Sequence, residues 1–333
     1  MMVRTVRFHE LGGPDVLRVE DVELGAPGPS ELAIRVDAIG INRAEALFRS
    51  GNYIQDVKEF PARLGLEASG VVEAVGAGVT GFEVGRPISV VPAFSMNDYG
   101  VYAERAIVPA SAVLHRTESL DPVAGAAVWM PYLTAYGALV EVGGMRAGDT
   151  VVLTAASSSV GLAAIRVAHR VGAVPIATTR TQAKVEQLRK AGAAEVIVTE
   201  EEDIVERVRA FTGGRGAEFV FDAVAGPGVV DLARVVAPGG TLLIYGALSG
   251  EVTPYPGFDL GMPALNMRTY TALETTTDPE RLRRAEAFVT SGVRSGAFEA
   301  SVDRTFDLER IVDAHRYLEA GAQVGKIVVT VDH

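Results

Sequence analysis

The chain has no cysteine among its 333 residues, which excludes disulfides, thiolate nucleophiles, iron–sulfur ligation and every zinc site that uses sulfur. Its compartment is left undecided by that absence. The five histidines, His9, His115, His169, His315 and His333, stand in separate segments without metal-ligand spacing, so solvated or helix-face roles are expected of them. The opening MMVRTVRFHE lacks the roughly 7 to 15 apolar residues of a secretory signal, and no run of about 18 apolar residues reads as a membrane span. The expectation is a soluble cytoplasmic protein with no membrane partner. Positive charge is short as well. Thirty-one Lys and Arg against 42 Asp and Glu give a formal net charge of −11, which repels phosphate backbones over about 8 Å at physiological salt and argues against nucleic acid. No serine sits in a GxSxG elbow, which argues against a serine hydrolase.

What is present is glycine, 36 residues of it, in a chain that is 48% hydrophobic and 22% charged and long enough for two domains. Up to about residue 120 the texture is short β segments broken by Gly, Pro and Asn: 32–37, 70–75, 87–91 and 102–108. That pattern predicts an all-β, partly open barrel. From about Pro122 the rhythm becomes apolar strand, glycine-containing turn and amphipathic helix, the signature of parallel βαβ units. Strands are expected at 150–155, 174–178, 195–198, 219–222, 241–245 and 267–272, and helices at 161–171, 181–191, 199–211 and 229–236. Thr199 and Glu202, at capping-box spacing, are expected to open the third of these helices. After Phe298 the tail returns to strand texture around a helix at 308–320 and a strand at 326–331. The fold class is therefore α/β, a doubly wound parallel sheet with a mainly β domain. The β domain takes 1–122 and 299–333, and the sheet domain takes 123–298.

The most informative segment is VVLTAASSSVGLAAIRVA, a strand, a turn of small residues and a helix. A dinucleotide-binding turn needs a tight bend, close backbone approach to the pyrophosphate and close helix–strand contact. Ala156, Ser158 and Gly161 stand where GxGxxG has its glycines, and Ser157, Ser158, Ser159 and Val160 offer N–H groups or hydroxyls to phosphate oxygens. An NAD site usually carries an acid at the end of the next strand to hold the ribose 2′-hydroxyl. Here that position reads Thr178, Thr179, Arg180, Thr181, with Lys184 beyond. Hydroxyls and two cations suit a 2′-phosphate, so Thr179, Arg180 and Lys184 predict NADPH as the cofactor.

With FHELGGPDVL, AIGINRAEALFRSGNY, GLEASGVVEAVGAGV, YLTAYGAL, the serine-rich turn, GGTLLIYGALSG and GKIVV in this order, the chain resembles the zinc-free quinone oxidoreductase (zeta-crystallin-like) branch of the medium-chain dehydrogenase/reductase superfamily. The resemblance runs from about Val3 to Val331. It implies a GroES-like catalytic domain, a Rossmann NADPH-binding domain and, commonly, a homodimer made by pairing the last Rossmann strands. In zinc-using relatives the metal is held by a cysteine matching the INRAE segment and a histidine in a GHE motif. Asn42 and Leu66 stand at those positions, and neither replaces a thiolate or an imidazole, so no metal is expected. The implied activity is hydride transfer to a quinone or related conjugated carbonyl. An enoyl or 2-alkenal double-bond reductase is one alternative, and a low-turnover NADPH-binding structural or regulatory protein is another. By position the resemblance assigns Asn42, Tyr53 and Thr134 to the reacting groups, and Gly246 and Leu248 to backbone contacts with the nicotinamide. Core packing of Tyr53, and a helix-interior bond from the Thr134 hydroxyl, stand beside those roles.

Overall fold

The computed structural model describes residues 1–258 and 260–333. The chain divides into two compact units, Met1–Met130 with Glu299–His333, and Pro131–Phe298. Residues 123–130, placed with the second domain on sequence, belong to the first unit.

In the first unit the strand Glu31–Ile41 is the organiser. Leu32, Ile34, Val36 and Ala38 alternate into the core along it, the period-2 burial of a strand with one covered face. It pairs antiparallel with Lys326–Thr330 on one side and with Ala68–Val75 on the other. The larger sheet runs Val302–Asp307, Lys326–Thr330, Glu31–Ile41, Ala68–Val75, Pro87–Val90, Val113–His115, and Arg105–Pro109 also pairs with Glu31–Ile41. A three-stranded sheet of Leu17–Glu23, Met2–Phe8 and Ala62–Arg63 completes the unit. Register places the chemistry. Ile327 lies opposite Ile41 and Ala68 opposite Ile39, so the residues just outside those pairs, Lys326, Asn42 and Glu67, converge at one end of the sheet.

The second unit is a six-stranded sheet in the order Glu195–Val198, Val174–Thr179, Thr150–Leu153, Ala217–Asp222, Val236–Ile244, Asn266–Thr269, with every adjacent pair parallel. In chain order this is 3-2-1-4-5-6, the doubly wound arrangement whose ligand crevice lies beyond the carboxyl ends of the strands. Val152, Ile176, Ile197, Val220 and Leu242 are buried together across the sheet, each contributing about 1.5–3 kcal/mol by leaving water. The helix Ser159–Val171 packs through Ala163, Ala164 and Ala168 and ends at Gly172, whose φ of 91° is the left-handed conformation that closes a helix.

Several expected boundaries are corrected. The helix expected from Thr199 begins at Ile204, because the Asp203 carboxylate accepts from Val205 N and Glu206 N at 2.8 and 2.9 Å. Glu202, assigned to a capping box, instead accepts from Val198 N at 2.7 Å. The helix expected at 181–191 is Val185–Ala191 behind a short 3₁₀ turn, Gln182–Lys184, and the last strand is Asn266–Thr269. One stretch, Pro122–Val142, is long and apolar enough to cross a bilayer, against the expectation from sequence. Of its 18-residue apolar window, 83% is buried inside the protein, as befits core helix.

Candidate functional site

At the carboxyl edge of the parallel sheet the predicted nucleotide residues come together. The Ser158 hydroxyl caps the Ser159–Val171 helix by accepting from Gly161 N at 3.1 Å. Gly161 is required by contact, since a Cβ there would lie 2.5 Å from the Ala156 backbone. The tight bend falls one residue earlier than expected. Ala155, not Ala156, takes a positive φ of 45°, a conformation that costs a residue with a Cβ about 1–2 kcal/mol. Ala156 N donates to Thr178 O at 3.3 Å, which ties the turn to the next strand. Lys184 reaches the same turn, its Nζ 3.5 Å from the Ser157 hydroxyl. Thr179 is buried at the strand end and Arg180 is exposed beside it; Arg180 forms no ion pair among the described residues. Ser159 and Val160 are partly exposed in the first helical turn.

The neighbouring loops are held from below by a group not singled out in the sequence. Asp222 is fully buried at the end of its strand and accepts from Thr154 Oγ1 at 2.6 Å, Val224 N at 3.0 Å and Ala225 N at 2.8 Å. Thr154 in turn accepts from Ala223 N at 2.9 Å. Leu248 N and Ser249 N donate to Ala223 O and Val224 O at 3.1 and 2.9 Å, joining two crossover turns. Gly246 is needed there because a Cβ would meet Ala223 O at 2.6 Å. Thr134, in the helix Trp129–Tyr136, is buried.

The first unit carries a buried polar cluster. Asn42 precedes the helix Arg43–Arg49, and its backbone N–H donates to Glu45 Oε2 at 2.8 Å. The Asn42 amide donates to Gly40 O at 3.1 Å and to Glu45 Oε1 at 3.3 Å, while its oxygen accepts from Lys326 Nζ at 2.5 Å. Lys326 also donates to Glu67 Oε2 at 2.6 Å, and Glu67 Oε1 accepts from Met130 N at 2.8 Å. Lys326 is 1% exposed and Glu67 not at all, so the pair satisfies two charges that neither could sustain alone in the core. A Cβ at Gly40 would overlap the Ala126 carbonyl and crowd both partners. Burial pushes the Glu45 carboxyl up to about 7 against the pull of Lys326. Tyr53 packs edge-on against Phe48, and burial with the Glu45 charge raises its phenol to about 12. Its hydroxyl therefore stays protonated throughout the physiological range. In the same unit His315 is fully buried against Tyr102, and neither ring nitrogen has a partner among the described residues. Burial, then Arg49 and Arg43, push it down to about 3.

Residues 28–118 match the alcohol dehydrogenase GroES-like domain family, and residues 159–291 match the zinc-binding dehydrogenase family. The chain is 31% identical over 333 residues to a 2-haloacrylate reductase of a Burkholderia species, covering 98% of this chain and 99% of that protein. It is 31% identical over 332 residues to a quinone oxidoreductase of Pseudomonas aeruginosa, with 98% and 99% covered. The chain belongs to the quinone oxidoreductase branch of the medium-chain dehydrogenase/reductase family. A solved structure of the Escherichia coli quinone oxidoreductase in complex with NADPH superimposes with a TM-score of 0.91 at 28% identity, over 98% of this chain and 99% of that one.

The zinc of the wider family does not fit the residues here. Asn42 offers an amide committed to Lys326, Leu66 an alkyl group, and the Glu67 carboxylate is already neutralised by an ammonium. Among the described residues no group of three or more His, Cys, Asp or Glu is placed to hold a metal ion. The nucleotide fits better. A helix amino terminus, a small-residue turn packed so closely that Gly161 admits no Cβ, and Lys184 at that turn match what a phosphorylated dinucleotide requires.

Proposed function

We propose that this chain is an NADPH-dependent oxidoreductase that delivers a hydride, without zinc, to a quinone or a related conjugated carbonyl. The reading is carried by one observation. Lys184 reaches the small-residue turn at the helix amino terminus and Arg180 stands exposed at the end of the adjoining strand, where an acid would select NADH. NADPH supplies the hydride from its reduced nicotinamide when bound. In this reading the backbone N–H groups and hydroxyls of Ser157, Ser158, Ser159, Val160 and Gly161 hold the pyrophosphate, with Ala156 allowing close approach. Thr179, Arg180 and Lys184 hold the 2′-phosphate. Gly246 and Leu248 line the nicotinamide side with backbone, and the Thr134 hydroxyl faces its ribose.

On the first unit, Tyr53 is taken as the donor to the acceptor's oxygen, a role its protonated phenol permits. Asn42 acts as an orienting node, since both its amide protons and its oxygen are engaged within the cluster. The P. aeruginosa and E. coli relatives, named quinone oxidoreductases, support a quinone acceptor. The 2-haloacrylate reductase relative supports a second reading, reduction of an activated C=C bond beside a carboxyl group. NADPH consumption measured against quinones, enones, enoyl thioesters and 2-haloacrylate tests both, and no consumption with any of them refutes the activity.

The same reading takes the chain as a homodimer. The strand Asn266–Thr269 ends the sheet, and Leu248, Val252, Tyr255, Phe258 and Met262 in the segment before it are all exposed, an apolar surface that a second copy would cover. Light scattering at the mass of a monomer would refute it. A cytoplasmic location accompanies dependence on NADPH, which is regenerated there.

A further inference from the structure

Tyr245 follows the strand Val236–Ile244 at the carboxyl edge of the sheet, where its backbone N–H donates to Asp222 O at 2.9 Å. Its ring stacks on Phe221 with centroids 3.9 Å apart and planes 19° from parallel, so the hydroxyl is held in one direction. That hydroxyl is shielded from solvent and finds no hydrogen-bond partner among the described residues. Burial and the Asp222 charge push the phenol up, while the adjacent Ser158 hydroxyl pulls the other way. An orphaned buried hydroxyl is destabilising, and native proteins retain few of them.

Ser158 is the helix cap described above, and its oxygen already accepts from Gly161 N. Each hydroxyl has one proton to donate and two lone pairs to accept with. If Ser158 and Tyr245 bond to each other, one proton is consumed between them and the other remains for an outside acceptor. Because the Tyr245 hydroxyl is shielded and Ser158 is partly exposed, Tyr245 is the donor of that bond and Ser158 presents the remaining O–H at the helix amino terminus, strengthened as a donor by the bond it accepts. The group this suits is an anionic oxygen.

We propose that the Tyr245 hydroxyl is a positioning group that donates to Ser158 when the dinucleotide binds and so aims the Ser158 hydroxyl at a pyrophosphate oxygen. This rests on the NADPH reading above. It also accounts for serines in a turn that usually carries glycines: what the turn gives up in backbone approach it regains in a hydroxyl pair.

The test is calorimetric titration of wild type, Tyr245→Phe, Ser158→Ala and the double variant with two probes, NADPH and adenosine 2′-monophosphate. The second probe carries the 2′-phosphate but no pyrophosphate. Tyr245→Phe is expected to raise the Kd for NADPH roughly 10-fold, to leave that for adenosine 2′-monophosphate within about twofold, and to add nothing to Ser158→Ala. Because the substitution removes an orphaned hydroxyl and keeps the ring, the melting temperature without ligand is expected to hold or rise. A Tyr245→Phe protein that binds NADPH as wild type does, additive effects in the double variant, or a lower ligand-free melting temperature overturns the proposal. A wild type that binds neither probe overturns the NADPH reading itself.

Discussion

Two buried groups in the first unit pull its stability in opposite directions with pH. Glu45 has its carboxyl raised from 4.5 to about 7, and His315 its imidazole lowered from 6.5 to about 3. Between those limits the folded chain keeps a proton on Glu45 that the unfolded chain releases, so Glu45 favours the fold less as pH rises. The folded chain also refuses a proton at His315 that the unfolded chain takes, so His315 favours the fold less as pH falls. Each slope approaches about 1.4 kcal/mol per pH unit. Between about pH 4.8 and 6.2 each contributes roughly 1.5 kcal/mol with opposite sign, and in the wild type the two cancel. Glu45→Gln leaves His315 alone, so its stability rises with pH by that amount, whereas His315→Leu leaves Glu45 alone and its stability falls. The assay is urea denaturation followed by the fluorescence of Trp129, the single tryptophan of the chain and a residue of the same unit. Comparing slopes removes any constant cost of each substitution. If both variants run parallel to the wild type over this range, neither group is perturbed as the buried geometry requires and the reasoning fails.

Lys326→Met strands the Glu67 carboxylate in the core, with an expected loss of about 3–5 kcal/mol. Adding Glu67→Leu recovers most of it in the same denaturation assay, and a single variant as stable as wild type would contradict the pairing. Arg180→Glu is expected to weaken NADPH at least roughly 10-fold relative to NADH, as a charge-assisted contact is replaced by repulsion; an unchanged preference in titration would refute the 2′-phosphate site. Gly161→Ala drives a methyl into the Ala156 backbone, with an expected loss of about 1–3 kcal/mol and weaker NADPH binding, checked by thermal melting with and without cofactor.

The strand, small-residue turn and helix of 150–171 were legible in the sequence because their requirements are local. The apolar strand, the small residues of the turn and the alanine-rich helix lie within 150–171, and the cations after Thr179 lie in the same crossover. The buried cluster was not legible. Lys326 meets Glu67 across 259 residues and Asn42 across 284, and only the register of three strands brings them together. A single lysine opening the apolar run KIVV was the available sign. The helix starts later than its caps suggest for a subtler reason. Thr199 and Asp203 are both good caps, but the strand runs to Val198 and a turn closes behind it, Glu201 N donating to Val198 O at 3.0 Å, so only the later residue is free to cap. GxGxxG spacing points to Ala156 for the bend that Ala155 makes, because that spacing holds for glycines and neither residue is one.

The register that joins Lys326 to Asn42 and Glu67 also orders events during synthesis. Residues 131–298 form a continuous stretch that can close its own sheet once it has left the ribosome. The surrounding unit waits for the strand that begins at Lys326 and flanks the organising strand. A nascent polypeptide stopped short of that lysine would carry a finished nucleotide module beside an open barrel, with an uncompensated carboxylate where the counter-charge should arrive.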